Sequence, residues 1–155
     1  MNIKEIEEFK LIGLALENKT TNENGQSSGD CGNLWYTFEY GGYKEQIPDK
    51  LTDEVFAVYF NYEGDHTKPF SYFIGCKVEK GAKAPSGMVS LSVPKGKYQK
   101  IIAKGKMPDC IGNAWKEIWS SDIHRNFKYD FEVYGEKSKD PNNSEIGIFL
   151  SIYTP

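Results

Sequence analysis

The sequence predicts an α+β fold: two strand-helix-strand-strand units, related by a pseudo-twofold axis, that share one curved antiparallel sheet with both helices on the same face. Three observations predict it. Cys31, Leu34, Trp35 and Phe38 stand at i, i+3, i+4 and i+7, and Ile111, Ala114, Trp115 and Ile118 repeat that spacing 80 residues later, each set forming one apolar face of a helix. The repeat includes identities, because Gly32-Asn33-x-Trp35 recurs as Gly112-Asn113-x-Trp115. After each helix comes a β-type run, and Phe60-Asn61-Tyr62-Glu63-Gly64 aligns with Phe131-Glu132-Val133-Tyr134-Gly135 at an offset of 71, which sets Asn61 against Glu132.

The first unit, about residues 1–80, opens on Phe9 to Leu16, a short apolar strand. Glu17 to Gly29 is rich in Asn, Thr, Ser and Gly and is expected to be a flexible loop. Asp30 is the expected N-cap of a helix that runs to about Tyr40 and stops at Gly41-Gly42. Strands follow over Val55 to Glu63 and Phe70 to Glu79, joined by a turn at Gly64 to Pro69.

The second unit, about residues 88–155, begins with Met88 to Val93 or Lys97 to Ala103, which are separated by the turn Pro94-Lys95-Gly96. Its helix starts near Pro108-Asp109, where Pro suits the first turn and Asp can cap, and carries a wide stripe of Ile111, Ala114, Trp115, Ile118 and Trp119. A hairpin of Phe127 to Lys137 and Glu145 to Tyr153 closes the chain. Neither unit covers its own sheet face, so pairing about a twofold axis is the simplest burial, and it leaves a groove between the helices. The 155 residues are expected to form one domain.

Composition narrows the function. Nineteen basic against 22 acidic residues give a net charge of −3, which argues against a partner held through its phosphates. The lysines at 95, 97, 100, 104 and 106 read as a solvated strand face. Cys31, Cys76 and Cys110 have neither CxxC nor His-paired spacing, so no disulfide framework, metal site or cofactor is expected. The first residues lack an apolar signal core and no run is long enough to span a bilayer, so a cytoplasmic protein without membrane contact is the expectation. Aromatics make up 14 % of the chain, ten of them Tyr, which suits either a β core or a cavity that is apolar in body and polar at the tips. His66 and His124 fall in expected loops, and no nucleophile elbow or phosphate loop is present.

Strand alternation sets Glu132 on one face with Asp130 and Tyr134, opposite Tyr129, Phe131 and Val133. Read as a pattern, that polar face is solvated. The order of the doubled unit, Ala114-Trp115-x-x-Ile118-Trp119, Asp130-Phe131-Glu132-Val133-Tyr134 and Ile146-Gly147-Ile148-Phe149-Leu150-Ser151-Ile152 resembles the GyrI-like effector-binding domain, which is also found attached to DNA-binding modules in AraC-type and MerR-type multidrug regulators. The likeness covers nearly the whole chain, so a stand-alone relative is the expectation.

The resemblance implies that Glu132 is the carboxylate at the bottom of an aromatic cleft, with a small aromatic molecule as partner. It implies three possible functions: a binder of hydrophobic, aromatic or cationic compounds, a hydrolase opening cyclopropane-bearing genotoxins, or a gyrase inhibitor. Trp35, Tyr72, Trp115, Trp119 and Phe149 are the expected ligand contacts. For hydrolysis Glu132 would act as general base on water, with Tyr134 or Tyr153 donating to a carbonyl and Tyr72 behind them.

Overall fold

The computed structural model describes residues 2–153. Its strands are β1 (Ile3–Ile6), β2 (Phe9–Ala15), β3 (Val55–Phe60), β4 (Ser71–Val78), β5 (Val89–Val93), β6 (Gly96–Gly105), β7 (Tyr129–Tyr134) and β8 (Ser144–Ser151). The helices are α1 (Gln26–Tyr40), a single turn α2 (Tyr43–Gln46) and α3 (Asp109–Trp119). All eight strands join one antiparallel sheet in the order β1-β6-β8-β7-β3-β4-β2-β5.

That order carries the expected pseudosymmetry. β2-α1-β3-β4 forms one unit and β6-α3-β7-β8 the other, and they meet where β3 pairs with β7 at the middle of the sheet. The edge strands are exchanged: β1 precedes β2 but pairs with β6 of the second unit, while β5 precedes β6 but pairs with β2 of the first. Both alternatives for the opening strand of the second unit are therefore strands, with β6 in the equivalent role.

The sheet curls. β2 and β7 are three strands apart, which in a flat sheet is about 14 Å. Phe9 of β2 nevertheless meets Phe131 of β7 edge-on, with centroids 5.3 Å apart, and Tyr98 of β6 meets the same ring at 5.1 Å. The face bearing Phe9, Phe56, Phe73, Tyr98 and Phe131 is thus wrapped into a core of its own. Gly13 and Gly75, paired across β2 and β4, permit the curvature, because a Cβ on either would strike the backbone of the facing strand.

The other face packs under the helices as two clusters, Ile12, Ile74 and Val78 against Phe38 of α1 and Ala103, Ile148 and Leu150 against Ala114 of α3. Each stripe expected on the helices points at the sheet. On α1 only Phe38 is fully buried; Leu34 packs partly buried against the cluster below, while Cys31 and Trp35 are partly exposed to the space between the helices.

Four local expectations are corrected. The helix α1 starts at Gln26 with Gly25 in the left-handed region at its N-cap, so the end of the Glu17 to Gly29 stretch, from Gln26 on, is helix rather than loop. Asp30 lies inside it, and its carboxylate accepts from the Thr20 hydroxyl at 2.7 Å instead of capping. Pro108 holds the N-cap position of α3 without a side-chain cap, leaving Asp109 in the first turn, where its charge suits the helix dipole. Asn61 lies one residue beyond β3, exposed and at φ +51°, so it is not the spatial counterpart of Glu132. Gly41-Gly42 does end α1, Gly42 turning the chain at φ +72° into α2.

Candidate functional site

Between α1 and α3, above the middle of the sheet, lies a cavity of about 1230 Å³. β7 supplies its floor. Alternation sends Asp130, Glu132 and Tyr134 toward the helices, as the pattern requires, but helices rather than solvent meet that face: Glu132 is 1 % exposed and Asp130 is fully buried. The polar reading of the strand fails because neighbouring elements, invisible in a local pattern, decide which face is covered.

Directly across from Glu132 on β3 stands Ala57, whose small side chain leaves room above the carboxylate. Three donors fill that room. The Trp115 indole N–H donates to Oε2 at 2.6 Å, the Tyr59 hydroxyl to the same oxygen at 2.8 Å, and the Tyr134 hydroxyl to Oε1 at 2.7 Å. Among the described residues no Lys, Arg or His stands within ion-pair distance of Glu132. Burial pushes its pKa up, and the Tyr134, Trp115 and Tyr59 hydrogen bonds pull it back by favouring the charged form. Burial and the nearby carboxylate together push the Tyr59, Tyr72 and Tyr134 hydroxyls well above their ordinary range, so they stay protonated donors.

The walls are aromatic. Tyr59 meets the rings of Tyr72 and Trp115 edge-on, each at 5.0 Å, and Trp35 meets Tyr134 at 4.8 Å. Trp35 donates its indole N–H to the Tyr72 hydroxyl at 2.8 Å. At one end Trp119 stacks on His66, centroids 5.3 Å apart and planes within 6°. Cys31 faces the cavity as a free thiol that burial, then the charges of Glu132 and Asp30, push upward in pKa.

A second buried carboxylate stands beside the first. Asp130 pairs with Arg125 at 2.7 Å, accepts from the Tyr62 hydroxyl at 2.6 Å, and takes the backbone N–H of Ser151 at 2.8 Å. The Arg125 guanidinium lies 4.2 Å from the Phe127 ring centroid and 5.6 Å from that of Trp115. Asp130 is thus neutralised within the fold, and Glu132 is not.

The structure brings Glu132, Tyr134, Trp35, Tyr72, Trp115 and Trp119 to one cavity. Two expected residues lie elsewhere. The register pairs Glu132 with Ile148 and Phe131 with Phe149, so Phe149 belongs to the opposite sheet face. Tyr153 follows the end of β8, is 65 % exposed, and does not reach the cavity. The residues that sequence reasoning missed are Tyr59, Tyr62, Arg125 and His66. Tyr59 was within reach, since alternation along β3 sets it with Ala57, and Arg125 is the only arginine in the chain, a residue chosen where a planar, doubly engaged cation is needed.

Among the described residues no group of His, Cys, Asp and Glu gathers to hold a metal, and no helix is long and apolar enough to cross a membrane. What the site offers is a buried carboxylate without an ion-pair partner, among aromatic rings, at the twofold junction of a duplicated α+β sheet. That combination is the architecture of effector-binding domains.

Comparison with known proteins gives the same class. The Cass2 family, described as integron-associated effector binding protein, matches residues 2–155, and the chain belongs to it. An integron cassette protein from the mobile metagenome of Vibrio cholerae is 31 % identical, with 98 % of this chain and 95 % of that one covered at a TM-score of 0.71. The structure of SAV2435 bound to tetraphenylphosphonium shares the fold at 15 % identity and a TM-score of 0.78, covering 98 % of this chain and 93 % of that one. YobU of Bacillus subtilis, a putative transcriptional regulator protein, is 26 % identical over 101 residues; the match spans 63 % of this chain and 63 % of YobU.

Proposed function

We propose that this protein binds flat or bulky hydrophobic cations in the cavity between α1 and α3, with Glu132 as counter-charge. The observation that carries the reading is the ionic isolation of Glu132: three neutral donors hold it and, among the described residues, no cationic side chain does. A buried carboxylate without a cation is costly, and a ligand's positive charge removes that cost. The surrounding rings add cation–π attraction of about 0.5–2 kcal/mol per contact. A likeness to the fold of SAV2435, seen with the lipophilic cation tetraphenylphosphonium, supports the choice of ligand class. The net charge of −3 favours action through the small molecule rather than direct contact with nucleic acid.

The test is a titration with tetraphenylphosphonium followed by tryptophan fluorescence, since Trp35, Trp115 and Trp119 all line the cavity. Glu132→Gln is expected to weaken binding by about tenfold or more, as loss of a charge-assisted contact does. Equal affinity of the wild type for tetraphenylphosphonium and for neutral triphenylphosphine oxide would sink the assignment.

One observation favours a second reading, hydrolysis of cyclopropane-bearing genotoxins. Oε1 of Glu132 has a single donor, Tyr134, and so keeps a lone pair for water. Glu132 would take a proton from that water as its oxygen bonds to a ring carbon, the strained C–C bond breaks toward a conjugated carbonyl, and a tyrosine hydroxyl supports the developing enolate. Multiple-turnover water addition, lost in Glu132→Gln, would establish it; product limited to one equivalent of protein would leave binding alone.

A further inference from the structure

The face of the sheet turned away from the helices holds a second cavity, of about 490 Å³. Phe149 is partly exposed at its floor, with Phe9, Phe56 and Phe131 buried beneath and beside it. Phe131 and Phe149 stack with centroids 4.9 Å apart and planes within 14°, Phe9 meets Phe131 edge-on, and Phe56 lies 5.5 Å from Phe9. This is the one-residue-shifted face of β7 and β8: Phe131 and Phe149 alternate with Glu132 and Ile148, which point to the first cavity and the α3 core.

Two lysines stand over that floor. The Lys77 ammonium is 5.2 Å from the Phe9 centroid and the Lys100 ammonium 5.5 Å from that of Phe149. Both side chains are half-buried, their stems on apolar surface and their charges at the rim. Among the described residues neither has a carboxylate partner. Three glutamates share the rim: Glu136 pairs with Lys139 at 2.8 Å, Glu145 pairs with Lys137 at 3.2 Å, and Glu54, beside Gly135, has no ion-pair partner among the described residues. Gly147 keeps the wall open, because a Cβ there would approach the Phe149 ring to 3.2 Å and the Lys100 stem to 3.3 Å.

We propose that this cavity is a second small-molecule site, taking amphipathic anions: a flat apolar body on the phenylalanine floor and a carboxylate or sulfonate at the Lys77 and Lys100 rim. Its size falls in the range of about 300–1,000 Å³ usual for small-molecule pockets. The two cavities use opposite faces of the central strands, one built around a carboxylate without an ion-pair partner and the other with two lysines that have none among the described residues.

Sodium 2-naphthoate is the probe, titrated into isotopically labelled full-length protein and followed by amide and indole NMR signals. The expected result is saturable shifts at Gly147, Phe149 and Lys100 with the Trp35 and Trp115 indole N–H signals unmoved. Lys77→Met with Lys100→Met keeps the stems on the rings and removes the charges, and is expected to weaken binding by about tenfold or more. If that double variant does not fold, each single substitution gives the same reading at smaller effect. No saturable shift in the wild type, shifts centred on the indoles, or affinity unchanged without the lysine charges would each overturn the site.

Discussion

The indole N–H of Trp115 donates to Glu132 at 2.6 Å, while Trp35, its counterpart 80 residues earlier in the repeat, donates to Tyr72 at 2.8 Å. The two helices therefore present the same donor to different acceptors, an anion in one half and a phenol in the other. Duplication supplied a symmetric aromatic box, and one carboxylate made it polar on one side. The behaviour of that carboxylate is the basis of the first two predictions.

Glu132→Gln should leave the fold as stable at neutral pH as the wild type, or more so. The amide oxygen can accept from Trp115 and Tyr59, the amide N–H can donate to the Tyr134 oxygen, and a desolvated charge is removed. The folded-state pKa of Glu132 is raised, so the folded protein holds a proton that the unfolded chain releases. Its contribution to stability is fully present below the ordinary value of 4.5 and is lost as pH rises through the raised value. Thermal unfolding across that window should show the difference between variant and wild type shrinking as pH falls. A variant markedly less stable than wild type at neutral pH would contradict this.

Cation affinity should run the other way. Binding needs the charged carboxylate, so affinity for tetraphenylphosphonium is expected to rise with pH through the same window. Tyr59→Phe removes one donor to Oε2 and should move the midpoint of that profile to higher pH, because the charged form loses support. A midpoint that stays in place would show that Tyr59 does not hold the carboxylate.

Asp130→Asn should be costly to the fold. It leaves the buried Arg125 guanidinium without its counter-charge, a change worth about 3–5 kcal/mol by analogy with other broken buried pairs. Urea unfolding checks this, and a loss below about 1 kcal/mol would mean that water reaches Arg125.

Gly75→Ala is expected to destabilise by about 1–3 kcal/mol, since its Cβ would meet the backbone oxygen of Ile12 and the Phe73 ring. Gly112→Ala, on the open side of α3 with nothing near its Cβ, should instead be neutral or stabilising. Opposite signs in parallel denaturation curves are the expected outcome.

Cys31 gives a footprint of the cavity. Its raised pKa keeps the thiol protonated, so labelling by a disulfide reagent at mildly alkaline pH should be slower than for a free cysteine, and slower again with tetraphenylphosphonium bound. Labelling at the free-thiol rate would show that the cavity is open to solvent there.

The doubled unit, both helix stripes and the parity of Glu132 were legible because each is a local periodicity. The helix start at Gln26 was not, because Ser27, Ser28 and Gly29 have turn chemistry and the helix is held instead by its apolar stripe and the contact of Asp30 with Thr20. Nor could the sequence show that the Asp130 face is covered, or that register sets Ile148 rather than Phe149 beside Glu132. Both depend on strands and helices distant in sequence. Tyr59 was overlooked for a different reason: the repeat alignment drew attention to Asn61, two residues too far along.

The exchange of edge strands bears on how the protein is made. A ribosome delivers the first unit complete through β4, yet β1 has no partner until β6 emerges, and the outer edge of β2 stays bare until β5 follows. The nascent half therefore waits with both outer edges of its sheet open, β2 until β5 and β3 until β7. Synthesis of residues 89–105 covers β2 and gives β1 its partner, but the halves join only when β7 pairs with β3, after the second helix, and with it the indole that holds Glu132, has left the tunnel.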